Sequence, residues 1–385
     1  MPALRPAVAA LAAALTAALA TAALTTTAPP ARAAGLQEVT GFGTNPGNLQ
    51  MFRYVPDGLP PDRPVVVALH GCTQNAASYA TGTGWTKLAD QWRFSVVFPQ
   101  QRSANNLNSC FNWFEPGDTR RGAGEALSIK QMVDRVKQDV KASSAYVSGL
   151  SAGGAMTAVM LATYPDVFAG GGVVAGLPYG CATAVAQAFG CMNPGVNLTP
   201  AQWGDKVRAA YAGGPRPKVS IWHGTADTTV VPANAGELVE QWTDVHGTDQ
   251  TPDVSDTVAG YPHRVYGGVV ELYQITGMGH GHPVDPGTGP TQCGTAGAYV
   301  LDVDICSAYH LARFWGITTG TTPTTTTSTA QPVDTATGTA TQHYVAGRIG
   351  VTDYNTLGAR YGYTTAFTLY RCPAGWTDKP DCSPI

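Results

Sequence analysis

The chain has 385 residues, 44% of them hydrophobic and 13% charged, with 45 Gly and 28 Pro. It is too apolar for a disordered tail and long enough for one large core or two modest ones. The 23 basic and 26 acidic side chains sum to −3, a balance that suggests neither a nucleic-acid groove nor a polybasic membrane surface.

The N-terminus carries one Arg in Met1 to Pro6. An Ala/Leu run from Ala7 to Leu24 follows, and then the small residues Ala31-Arg32-Ala33-Ala34. This is the layout of a secretory signal peptide cut after Ala33 or Ala34. A transmembrane anchor is the weaker reading, because the run is only marginally apolar and lacks a basic stop-transfer flank. Removing residues 1–34 takes away Arg5 and Arg32, leaving 21 − 26, or −5. The expected product is secreted, extracellular and soluble. Eight cysteines fit that compartment: Cys72, Cys110, Cys181, Cys191, Cys293, Cys306, Cys372 and Cys382. Local pairs are expected at 181–191, 293–306 and 372–382, which leaves 72–110 by subtraction. The spacings match neither a zinc knuckle nor a redox motif, so no metal is expected.

Next come short apolar runs alternating with helical periodicity. Strands are expected at Pro64–Leu69, Phe94–Pro99, Ala145–Ser148, Val173–Val174, Val219–Trp222 and Val269–Ile275. A helix over 122–141 places Ile129, Val133, Val136 and Val140 inward, with Lys130, Asp134, Lys137 and Lys141 in water. A second helix follows residue 153, with Ala155, Met156, Val159 and Met160 as its buried stripe. Apolar strands separated by helices imply an α/β domain around a mostly parallel sheet, with its site outside the strands' carboxyl ends. This catalytic domain is assigned to 35–316. In 317–341, 13 of 25 residues are Thr, as expected of an extended, solvated linker. The remaining 342–385 reads as a small stapled module rich in tyrosine (Tyr344, Tyr354, Tyr361, Tyr363, Tyr370).

Three expected strands end in the groups hydrolysis needs. Gly149-Leu-Ser-Ala-Gly153 is a G-x-S-x-G turn between strand and helix, lifting Ser151 clear of the sheet and aiming the Ala152 amide at a developing oxyanion. In such hydrolases the chain order is Ser, then Asp or Glu, then His. Asp227 follows the strand at 219–222, and His280 follows the strand at 269–275. Ser151 is therefore expected as nucleophile, His280 as base and then acid, and Asp227 as its orienter. Asp205 and Asp244 compete with Asp227, while His282 and His223 compete with His280. His70-Gly-Cys-Thr73 supplies the loop for a second oxyanion donor, the Cys72 amide, and His70 is expected to brace it.

Four motifs together, Leu69-His-Gly-Cys-Thr-Gln-Asn75, Gly149-Leu-Ser-Ala-Gly-Gly-Ala-Met156, His223-Gly-Thr-Ala-Asp227 and Gly277-Met-Gly-His280, resemble the extracellular short-chain-length polyhydroxyalkanoate depolymerases. These belong to a wider group with feruloyl and acetylxylan esterases. The oxyanion loop precedes the nucleophile box, as in the family's type 1 catalytic domain. The resemblance implies an α/β-hydrolase fold, the triad roles above, no cofactor, and a monomer acting on insoluble poly(3-hydroxybutyrate) (PHB). Neither nucleic acid nor membrane is implied as a partner. The Cys110-Phe-Asn-Trp-Phe114 segment resembles the family's substrate crevice, making Asn112, Trp113 and Phe114 substrate-binding candidates. His343-Tyr-Val-Ala-Gly-Arg348 and Tyr361-Gly-Tyr363 resemble its polymer-binding module. The alternative is a feruloyl or acetylxylan esterase of plant cell wall, which would share every catalytic residue.

Overall fold

The structure, a computed structural model, describes residues 35–318, 334–372 and 375–378. The signal-peptide segment, most of the Thr-rich stretch and Cys382 lie outside the described residues, and with Cys382 the expected 372–382 pair. The chain divides into two compact units between Gly320 and Thr321.

In the first unit ten strands form one sheet: β1 Gln37–Val39, β2 Gln50–Tyr54, β3 Val65–Leu69, β4 Ser95–Gln100, β5 Ala145–Leu150, β6 Phe168–Val174, β7 Lys218–Gly224, β8 Val254–Val258, β9 Tyr261–Tyr266 and β10 Val270–Ile275. Their order is β1-β2-β4-β3-β5-β6-β7-β10-β9-β8. The six central strands, β4 to β10 in that order, pair in parallel. Antiparallel ribbons flank them on both edges. The expected α/β architecture is present, with β1, β2, β8 and β9 as additions the apolar runs did not announce.

Alternation along β3 builds a core on each face. Val65, Val67 and Leu69 join the layer formed by the helices Gly124–Val140, Ala152–Thr163 and Ala233–His246. Val66 and Ala68 join the opposite layer, with the helices Ala76–Gly82, Trp85–Trp92 and Ser307–Trp315. Every residue of the helix Ala152–Thr163 is buried, so it has no polar face to set against the expected four-residue stripe. Its threonines satisfy themselves: the Thr157 hydroxyl donates to the Gly153 carbonyl (2.9 Å) and the Thr163 hydroxyl to that of Val159 (2.7 Å).

Strand β6 begins at Phe168, five residues before the expected Val173. Its Gly170-Gly-Gly172 run has low strand propensity but fits where helices press from both sides. A Cβ at Gly170 or Gly172 would meet Trp315 at 2.9 Å or Leu311 at 2.5 Å; one at Gly171 would meet Leu161 at 2.5 Å.

Cys72–Cys110, Cys181–Cys191 and Cys293–Cys306 are disulfide-bonded. The second unit has an antiparallel sheet of Asp334–Gly338, Phe367–Cys372 and Gly375–Thr377, with helices at Ala340–Val345 and Val351–Tyr361. Asp334–Gly338 falls inside the segment expected as linker: its Thr-rich sequence gains order by pairing with Phe367–Cys372. Ile349, Leu357 and Leu369 form this unit's small core, while Tyr344, Tyr361 and Tyr363 remain exposed.

Candidate active site

Four chain segments leave the carboxyl ends of the parallel strands and meet at one cleft, the place where an open parallel sheet gathers its site. Gly71 to Gln74 follow β3, Ser151 follows β5, Thr229 comes from the loop after β7, and His280 from the loop after β10. The cleft has a volume of about 350 Å³.

Ser151 sits between β5 and the buried helix with φ 58° and ψ −118°, a strained backbone for a residue with a Cβ. Such outliers cost about 1–3 kcal/mol and persist where packing over-determines them. Here the determinants are two glycines. A Cβ on Gly149 would stand 2.3 Å from the Gly153 carbonyl oxygen, and one on Gly153 would stand 2.3 Å from that of Leu69. β3, β5 and the helix start are thus in backbone contact, and the turn between them has no slack.

His280 Nδ1 lies 2.7 Å from Asp227 Oδ2. Asp227 Oδ1 accepts from the amides of Thr229 (2.9 Å) and Val230 (3.0 Å). His223 Nε2 donates to the Val230 carbonyl (2.8 Å) and stands 3.5 Å from Asp227 Oδ2. Burial alone would raise the Asp227 carboxyl, but His223, His280 and the Val230 amide outweigh it and hold it far below the usual carboxylate range. An ionised Asp227 accepts the Nδ1 proton of His280 and leaves Nε2 as the ring's proton acceptor.

Three of the rival groups, His282, Asp205 and Asp244, are occupied elsewhere. His282 is fully buried between Tyr79 (3.4 Å) and Ser307 (2.9 Å), and burial pushes it down to about 3. Asp205 and Asp244 both pair with Arg208. His70 donates from Nδ1 to the Gly71 carbonyl (2.7 Å) and accepts at Nε2 from the Gln101 amide (3.1 Å). Burial pushes His70 down to about 4, so it is a neutral brace inside the loop.

The loop after β3 is fastened on each side of Cys72. The Gly71 amide donates to Gln74 Oε1 (2.9 Å) and the Thr73 amide to the Asn108 carbonyl (2.7 Å). Among the described residues the Cys72 amide meets no acceptor, while its side chain is tied to Cys110. Ala152 is the first residue of its helix, so its amide has no intrahelical acceptor. Neither amide has a backbone acceptor among the described residues, and Cys72 lines the same cleft as Ser151.

Trp113 and Phe114 line the cleft, packed edge to face at 5.4 Å. Asn112 does not line it. Its amide donates to Glu125 Oε2 (2.8 Å), its side-chain nitrogen donates to Asp118 (3.1 Å), and its oxygen accepts from Asn106 (3.0 Å). Its role is to fix the loop that presents Trp113. Glu125, which no sequence motif marks, receives that amide and the Gln101 side chain. Burial, and secondarily Asp118, pushes it up to about 8. Further wall residues unmarked by any motif are Val185, Phe189 and Met192, from the helix Val185–Met192, and Tyr299. The one available signal for that helix was its apolar content next to Cys181 and Cys191. His280 and Tyr299 are the titratable side chains in the lining.

The sequence profile of the family described as "Esterase PHB depolymerase" matches residues 49–255. The chain is 57% identical over 389 aligned residues to poly(3-hydroxyalkanoate) depolymerase C of Paucimonas lemoignei, a match covering 91% of each chain. The chain belongs to the PHB depolymerase esterase family. Feruloyl esterase B of Thermothelomyces thermophilus is 40% identical over 65% of this chain and 89% of its own. Among solved structures, the acetyl xylan esterase of Aspergillus awamori aligns with a TM-score of 0.60 and 32% identity, over 64% of this chain and 94% of its own. The resemblance read from the four motifs is borne out. This PHB depolymerase family member is a carboxylic ester hydrolase with an α/β-hydrolase fold.

Proposed function

We propose that this esterase is a secreted depolymerase of poly(3-hydroxyalkanoates), PHB first among them, releasing soluble 3-hydroxyacid monomers and oligomers. The observation that carries the substrate is the reach of the similarity. The depolymerase match covers 91% of the chain, more than residues 1–316 can supply, whereas the feruloyl esterase match covers 65%. The cleft agrees: its walls combine Trp113, Phe114 and Phe189 with uncharged polar groups, suited to a neutral polyester of methylenes and ester carbonyls.

The chemistry on this reading is acyl transfer through Ser151, supported by the His280–Asp227 hydrogen bond and by Ser151 and His280 lining one cleft. Ser151 Oγ attacks the ester carbonyl carbon as His280 Nε2 takes its proton, and the carbonyl π pair moves onto oxygen facing the Cys72 and Ala152 amides. Collapse of that oxyanion expels the alkoxide end of the chain, which leaves as an alcohol with the proton from His280. Water, deprotonated by His280, repeats the attack on the acyl-enzyme and frees the 3-hydroxyacid and Ser151. Asp227 holds the tautomer and stabilises the imidazolium formed at each stage.

Cleavage after Ala33 or Ala34 would release the mature chain, and the three disulfides among the described residues suit an oxidising compartment. No helix among the described residues is long and apolar enough to cross a membrane. The Thr-rich segment serves as a tether, and the exposed tyrosines of the second unit as flat contacts for polymer, raising the local concentration of the esterase at a solid surface. The enzyme works as a monomer on this reading. The test is mass-resolved product release from a PHB suspension, with feruloylated, acetylated arabinoxylan as competitor. Hydroxybutyrate monomer and dimer from the wild type, and none from Ser151→Ala, is the expected result. Ferulate or acetate alone would overturn the substrate assignment.

A further inference from the structure

A second depression adjoins the cleft. It has a volume of about 620 Å³ and lies between the helix Ala76–Gly82 and the segment Thr295–Val300, and it shares Thr73, Gln74 and Tyr299 with the cleft. Its remaining wall includes Asn75, Ser78, Thr81 and Thr295, with no acidic or basic side chain.

Tyr299 is the ridge between the two depressions. Its ring stands edge to face with His280 at 6.1 Å and is 48% exposed, so it has not been driven there by burial. Its φ is 58°, a left-handed conformation that an aromatic residue rarely adopts. The backbone is held in place from both sides: the Tyr299 carbonyl accepts from the His282 amide (2.9 Å), and Gly297 and Val300 exchange amide–carbonyl bonds around it. Gln74 adds a direct link to the reacting centre, accepting from the Gly71 amide (2.9 Å) and donating to the Ala298 carbonyl (3.0 Å). One side chain therefore fixes the oxyanion loop and the Tyr299 ridge together. The opposite wall is rigid as well, since Asn75 and Ser78 close a capping box at the start of their helix.

We propose that this second groove is an extension subsite for the polyester chain, holding ester units beyond the one being cut as the chain passes over Tyr299. This rests on the polyester reading above. The absence of charge, the hydroxyl and amide groups available to ester carbonyls, and the continuity with the cleft fit a neutral repeating ester.

Ala77 and Thr81 are exposed on the helix that walls the groove, and neither lines the cleft. The experiment measures kcat/KM for 3-hydroxybutyrate oligomers from dimer to hexamer, with 4-nitrophenyl butyrate as a short monoester. The proteins compared are wild type, Thr81→Trp and Ala77→Trp, each checked for an unchanged Tm. In the wild type kcat/KM should rise with chain length. Each tryptophan should cut the hexamer-to-dimer ratio about ten-fold, the usual worth of one lost set of pocket contacts. A flat length profile in the wild type, or variants that slow dimer and hexamer equally, would overturn the subsite while leaving the polyester reading intact. Hydrolysis of the monoester with no oligomer cleaved would overturn that reading and the subsite with it.

Discussion

Replacing Gly153 by alanine tests whether backbone contact, rather than side-chain chemistry, builds the nucleophile turn. Helix propensity alone predicts that Gly153→Ala stabilises the protein by about 1 kcal/mol. The structure reverses the sign. The new Cβ would lie 2.3 Å from the Leu69 carbonyl oxygen and 2.6 Å from that of His70, both backbone atoms that cannot swing aside. Restoring an ordinary contact of about 3.4 Å requires the helix start and the end of β3 to part by roughly 1 Å, an overpacking change that costs about 1–3 kcal/mol. That displacement falls between the Ala152 amide and the Cys72 loop, the two sides of the proposed oxyanion site. A misplacement of about 1 Å there lowers kcat on the order of 100-fold. Gly236→Ala is the control: it is also helical, a Cβ there meets nothing within 4 Å, and stabilisation by about 1 kcal/mol is expected. Calorimetry and turnover of 4-nitrophenyl butyrate measure both effects. If Gly153→Ala raised the Tm as Gly236→Ala should, with kcat unchanged, the close-contact account of the turn would be wrong.

Asp227→Asn should lower kcat about 10⁴-fold with little change in KM, because an amide can hold the imidazole in the wrong tautomer; steady-state kinetics on the monoester decide it. Removing the Cys72–Cys110 bond by paired serine substitution should cost about 4 kcal/mol for a separation of 38 residues, and should reduce kcat as the Cys72 amide loses its anchor. A variant as stable and active as the wild type in denaturant titration and turnover would contradict that role. Stability should peak near pH 6.5. Below it the unfolded chain protonates histidine at the ordinary 6.5, while folded His70 and His282 resist until about 4 and about 3. Their contribution, full above 6.5, is therefore lost on acidification at about 1.4 kcal/mol per pH unit each. Glu125 acts in the opposite direction: raised to about 8, it favours the fold fully below its ordinary 4.5 and loses that contribution as pH climbs through 8. Melting from pH 5 to 9 should show both limbs, with the alkaline limb flattened in Glu125→Gln; a Tm independent of pH would contradict the burial of these groups.

Local sequence was sufficient wherever one element carries its own signal. The apolar runs of β3, β4, β5, β7 and β10, the Gly149–Gly153 turn, and Asp227 and His280 each just after a strand end were all readable, because strand periodicity and turn chemistry are properties of neighbouring residues. Asn112 misled for a related reason: its neighbours Trp113 and Phe114 do face the cleft, but its own side chain and amide turn back to Asp118 and Glu125. β6 was half hidden, since its glycines are explained only by Leu161, Leu311 and Trp315 arriving from elements distant in sequence.

By itself, then, the sequence determined the α/β class and the chain order Ser151, Asp227, His280 of the proposed triad. The tertiary structure decided which histidine meets Asp227, since His280 and His282 are two residues apart yet only one reaches it while the other is buried beside Ser307. It also decided the cleft's far wall and the Tyr299 ridge, which come from helix Val185–Met192 and the segment near Val300, parts of the chain with no motif of their own. Contacts between residues distant in sequence leave no local periodicity to read, and it is those contacts that give the site its shape.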